Sequence, residues 1–199
     1  MNLTKCSLLF ILYVAVLLIQ RLNLDNLETK SQKFYQKKEN HKKVQDIFHN
    51  MLPHIVEFEY VSDTIAVLVF VYIAIVNFKL IYTVAGFAFT IALIRQFIIQ
   101  MTILPKNEVC DIKHSSVFRG GCYDKIFSGH FGITFLMTLL IYDNGHISKL
   151  FMIVINFING LFILLSRNHY TIDIIVSIFV VIIIYQNNLN ICNYLDKYF

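Results

Sequence analysis

Apolar residues gather in long blocks along this chain, the third of them interrupted by Arg95. Six blocks predict membrane helices: 3–24 (with its apolar centre at 6–19), 61–78, 80–104, 128–142, 150–165 and 171–185. The first is short and follows Lys5, like a signal-peptide core. Gln20-Arg21-Leu22-Asn23 is a poor cleavage site, however, so a retained helix is expected. Residues 25–60 are polar and Lys-rich and read as an exposed loop or a surface-lying helix. Pro105 ends the third block, residues 106–127 form a polar loop, and Asp143-Asn144-Gly145 signals a tight turn. Residues 187–199 are a polar tail. The expected fold is all-α and integral to the membrane: six transmembrane helices, with a five-helix catalytic unit over 61–186.

Composition supports this. With 57% hydrophobic residues and a mean hydropathy of +0.62, a soluble domain is excluded. The net charge is only +4 and the lysines lie between apolar blocks, so lipid headgroups are the natural partners and nucleic acid is not. Cys6, Cys110, Cys122 and Cys192 have no metal-ligand spacing. Cys110 and Cys122 share one loop; they either pair in an oxidising compartment or stay free thiols.

The chemistry is concentrated in Ser166-Arg-Asn-His169-Tyr170-Thr-Ile-Asp173, at the mouth of the last apolar block. Four residues apart on a helix, His169 and Asp173 share a face, and the carboxylate can fix the ring tautomer. In a soluble helix such a pair is commonly incidental. At the edge of a membrane segment it is costly, which favours a chemical role. A second histidine, His130, opens the fourth block behind Ser128-Gly129. Gly129 allows close approach of the backbone to an anion, and Ser128 with the first helical amides offers phosphate donors. A lone histidine there would be an ordinary cap; two histidines with an acid suit covalent phosphoryl transfer.

Alternating spans place the loops after helices one, three and five on one membrane face. Leu52-Pro53, the end of the third block beyond Arg95, His130 and His169 with Asp173 all fall there, which predicts one composite site.

These residues resemble the sphingomyelin synthase family, within the wider lipid phosphate phosphatase (PAP2-like) superfamily. The family motif Cys-Gly-Asp-x-x-x-Ser-Gly-His-Thr is similar to residues 122–131, with Tyr123 in place of Gly and Phe131 in place of Thr. His-Tyr-Ser/Thr-x-Asp-Val/Ile is matched throughout by His169 to Ile174. Arg95, Thr102 and Leu104-Pro105 resemble a third motif; a fourth survives only as Leu52-Pro53, with His54 where an acid is expected. The resemblance covers residues 50–186.

It implies a PAP2-like helical bundle without metal or cofactor, in which His169 is the nucleophile, Asp173 orients it and His130 is acid and base. Arg95, Asp124, Ser128, Gly129 and Tyr170 would serve the substrate and its phosphate. Phosphocholine would pass from phosphatidylcholine to ceramide, giving sphingomyelin and diacylglycerol. Close alternatives are ceramide phosphoethanolamine synthase and inositol phosphorylceramide synthase, then a lipid phosphate phosphatase, then a non-catalytic lipid-binding membrane protein. Phe127 stands where the phosphatases have Pro, and Arg167 lies two residues before His169 rather than six, which weakens the phosphatase reading. The resemblance implies a Golgi, secretory-pathway or plasma-membrane protein with its active face lumenal or exoplasmic, and leaves an oligomer open. Yet that face carries twelve Lys and Arg against four on the other, contrary to the positive-inside rule.

Overall fold

The computed structural model describes residues 44–102, 104, 105, 122, 123 and 125–187, with isolated positions elsewhere. Those residues form a short helix, α1 (Ile47–Met51), and five long ones: α2 (Phe58–Val76), α3 (Lys79–Met101), α4 (Gly129–Asp143), α5 (Lys149–Leu165) and α6 (Thr171–Gln186). The five long helices coincide with the last five apolar blocks. The first block falls largely outside the described residues. By length and composition, α2 and α3 are able to cross a membrane; α5 and α6 are apolar but shorter.

α1, α4 and α5 begin where the side chain before the helix takes an otherwise orphaned amide. The Asp46 carboxylate accepts from Phe48 and His49, Ser128 Oγ from Phe131, and Ser148 Oγ from Phe151. The Asp143-Asn144-Gly145 turn joins α4 to α5, with Gly145 at φ 76°, where only glycine is unstrained.

α4 is the central helix, packed on α2, α3, α5 and α6. This explains why it is apolar nearly all round: Phe131, Leu136, Met137, Leu140 and Ile141 are all buried. Gly132 permits close packing, since a Cβ there would stand 3.2 Å from the Phe127 ring. The outside of the bundle is apolar too. Val67, Leu68 and Ile75 of α2, Leu150 and Phe157 of α5, and Phe179 of α6 are exposed. The interior meanwhile holds polar pairs: Ser62 Oγ donates to Asn159 Oδ1 (2.8 Å) and Asn156 Nδ2 to Thr138 Oγ1 (2.7 Å). A large apolar exterior around a partly polar interior suits hydrocarbon as the solvent.

Within 25–60, α1 lies on the surface with Ile47 and Met51 exposed, and residues 46–55 also have defined partners in the bundle. They lie against the α5–α6 turn, with the Ile55 amide donating to the Leu165 carbonyl at 2.9 Å.

Candidate active site

α5 and α6 meet in a five-residue turn that carries His169. Asp173, the third residue of α6, is fully buried and accepts from the Tyr170 amide at 2.9 Å. A carboxylate in this position satisfies an orphan donor and complements the positive end of the helix dipole. The same Oδ2 lies 3.0 Å from His169 Nδ1. The helix start thereby orients the His169 ring, with Nδ1–H directed to Asp173 and Nε2 on the opposite side of the imidazole.

His130 opens α4 on the same face of the bundle. Its Nε2 lies 3.1 Å from Asp63 Oδ1 of α2. Sequence reading missed Asp63. The available signal was a cluster of acids, Glu57, Glu59 and Asp63, at the entrance of an apolar block, where charge is costly. Each histidine therefore has its own carboxylate. Both line one cleft, with Glu59, Ser62, Asp63, Ile163 and Asn168. The enclosed space is about 20 Å3, roughly one water's worth, so a phosphoryl group must enter from the open side.

Arg95 of α3 reaches this region, because a Cβ on Gly129 would stand 3.7 Å from its Nε. The charges acting on His130 are the carboxylates of Asp63 and Glu59 and the cations of Arg95 and Lys125. Lys125 is buried; it occupies a variable position of the motif and so gave no signal. Ser128 is fully buried, with its hydroxyl engaged as the cap of α4. Its backbone is tied to α6 through Ser177, whose Oγ accepts from the Ser128 amide (2.9 Å) and lies 2.7 Å from the Asp173 carbonyl. This brace fixes the start of α4, and with it His130, relative to Asp173. Tyr170 is buried, its ring 5.2 Å from that of His49. Asp124 and Cys110 lie outside the described residues. Cys122 is buried and disulfide-bonded, and its partner is also outside them.

Two carboxylate–histidine pairs facing one cleft, with cations beside them, are groups chemically able to exchange protons and to bear charge at a phosphoryl centre. Residues 121–189 match the family model described as PAP2 superfamily C-terminal. That stretch contains Ser128, His130, His169 and Asp173. The match supports the PAP2 superfamily. It does not single out sphingomyelin synthases within it. No curated protein matches the chain. PAP2-like character points to an enzyme of the lipid phosphatase or phosphotransferase type, and with the apolar helices it points to a membrane protein.

Asp63 and Asp46 lie outside the PAP2-like match. Asp63→Asn removes the charge facing His130 and should lower turnover by about tenfold. An unchanged rate across the pH range in a steady-state assay would show that His130 works without Asp63.

Asp46 holds the start of α6: its Oδ2 accepts from the Thr171 amide (2.7 Å) and its Oδ1 from the Thr171 hydroxyl (2.9 Å). Burial alone would raise its pKa, but these bonds, the His49 amide and the nearby His49 charge outweigh it and hold the pKa below the ordinary 3.8. A depressed folded pKa stabilises above the unfolded value, and that contribution is lost as pH falls through the folded value. The melting temperature of wild type should therefore exceed that of Asp46→Asn by a constant margin from neutral pH downward. The gap should close only below the ordinary carboxylate value; closure already near neutrality would contradict this.

Proposed function

We propose that this protein is a lipid phosphotransferase that moves a phosphocholine headgroup from phosphatidylcholine to ceramide through a phosphohistidine. The observation that carries a histidine-based transfer is the shared cleft, in which His169 is aligned by Asp173 and His130 is paired with Asp63. The choice of donor and acceptor rests on the motif resemblance.

In the first half-reaction His169 Nε2 attacks phosphorus and the P–O bond to diacylglycerol breaks. His130, protonated, gives its proton to the leaving oxygen, and Asp63 stabilises the imidazolium before transfer. In the second, His130 takes the proton of the ceramide primary hydroxyl, whose oxygen attacks phosphorus. The P–N bond breaks and its electron pair returns to His169. Arg95 and Lys125 are placed to balance the charge on the phosphoryl oxygens.

A lipid substrate is supported by the surroundings. The helices framing the cleft, α2, α4 and α5, also frame an apolar groove of about 550 Å3 towards their other ends, lined by Leu68, Tyr72, Ile141 and Phe151. Transfer instead of hydrolysis requires ceramide to reach the intermediate before water. The disulfide at Cys122, in the segment leading to His130, supports a lumenal or exoplasmic active face despite the basic loops.

The test is transfer in membranes lacking endogenous activity, given fluorescent ceramide and one phospholipid donor at a time. Fluorescent sphingomyelin from phosphatidylcholine alone is the expected result. Product only from phosphatidylethanolamine or phosphatidylinositol would change the headgroup and keep the mechanism. Phosphate release from phosphatidic acid, with no transfer, would make the protein a phosphatase.

A further inference from the structure

Building on the reading of His169 as nucleophile, we propose that residues 46–55 are a strap that sets the conformation of the His169 turn, with His49 and Asp46 as positioning residues. The turn between α5 and α6 needs outside support. Arg167 within it has φ 55°, which no other non-glycine residue shows among the described residues. A side chain in that region is strained, and the surroundings must hold it there.

The strap grips the turn along its whole length. At one end the Ile55 amide donates to the Leu165 carbonyl (2.9 Å). In the middle Arg167 Nη2 donates to the His49 carbonyl (3.1 Å), and His49 Nε2 donates to the His169 carbonyl (3.1 Å). At the other end Asp46 takes both the amide and the hydroxyl of Thr171.

One peptide group shows how this reaches the chemistry. The His169 carbonyl and the Tyr170 amide belong to the same planar unit. His49 holds its oxygen, and Asp173 Oδ2 holds its N–H while also facing His169 Nδ1. Rotating that unit would break both holds and release the carboxylate from the geometry that aligns the imidazole. His49 thus acts through the backbone on the orientation of His169, without touching substrate. Asp46 fixes the next residue, so the unit is clamped from two sides.

The experiment uses full-length protein in detergent–lipid micelles and two variants that keep the shape of His49. His49→Phe retains a ring against Tyr170 but has no donor; His49→Gln returns an N–H near the Nε2 position. Two readouts are taken: hydrogen exchange of the Tyr170 and Thr171 amides, and kcat and KM for ceramide with phosphatidylcholine and for short-chain phosphatidic acid. For His49→Phe we expect exchange at Tyr170 about tenfold faster and kcat about tenfold lower, with KM little changed. His49→Gln should recover most of both, and Asp46→Asn should speed exchange at Thr171. Equal behaviour of the Phe and Gln variants, or exchange in His49→Phe and Asp46→Asn matching wild type, would overturn the strap. His169→Ala run in parallel separates the two ideas: if it keeps full activity, the nucleophile assignment falls, and the exchange data still decide the strap.

Discussion

Replacing His169 by alanine is expected to lower headgroup transfer, and any phosphate release, by at least about a thousandfold. The residue is buried, its Nδ1 is committed to Asp173, and it lines the cleft that His130 also lines. Removing it deletes the atom that would carry the phosphoryl group, so neither half-reaction has an acceptor. A kinetic loss alone would also follow from misfolding, so the label is the sharper measurement. Donor lipid carrying radioactive phosphorus should leave an acid-labile, base-stable label on wild type and none on the variant. Unchanged labelling of His169→Ala, with an unaltered melting temperature, would move the nucleophile elsewhere. If the label then disappeared in His130→Ala, the roles of the two histidines would be exchanged.

Asp173→Asn is expected to reduce activity by roughly a hundred- to ten-thousandfold while leaving the lipid KM within a few-fold. In wild type one oxygen accepts from both His169 Nδ1–H and the Tyr170 amide. The neutral amide can still accept through its carbonyl, but it no longer stabilises an imidazolium. If its NH2 faces the ring, the opposite tautomer is favoured and the proton moves to Nε2, the attacking atom. A stability loss of about 1–3 kcal/mol should accompany this, because a buried charge-assisted bond at the start of α6 is weakened. The two effects are separable by adding phosphatidylcholine vesicles at temperatures where the variant is fully folded. Activity within about threefold of wild type under those conditions would mean that Asp173 is a helix cap and not an orienting group.

Much of the bundle was legible in the sequence because hydrocarbon imposes a simple rule: polar backbone must be satisfied within each segment, so long apolar blocks become helices. The blocks from 61 onward match α2 to α6 to within a few residues at most of their ends, and Pro105 lies just beyond the end of α3. The His169–Asp173 pair was legible too, but not through the helical face the spacing suggested: His169 precedes α6, and Asp173 meets it by reaching back over the helix start to the Tyr170 amide and the ring. His130 entered by motif, and its place on the same face followed from counting spans.

Contacts between distant segments had no such signal. Asp63 meets His130 across 67 positions of sequence (130 − 63), and only the packing of α2 on α4 decides that they touch. Lys125 is identifiable as a buried cation only once the bundle surrounds it. The strap is the clearest case. Residues 46–55 follow a Lys-rich polar stretch and are too short for an apolar block, so the pattern gives them no tertiary partner. Most of their bonds have a backbone group at one end, and backbone groups leave no trace in a pattern of side chains. Local periodicity and motif spacing thus determined the helices, their order and the candidate residues His130, His169 and Asp173. Tertiary packing alone decided which carboxylate serves His130, how Ser177 braces the two helix starts, and what holds the His169 turn, because those choices depend on distances between segments that no local rule encodes.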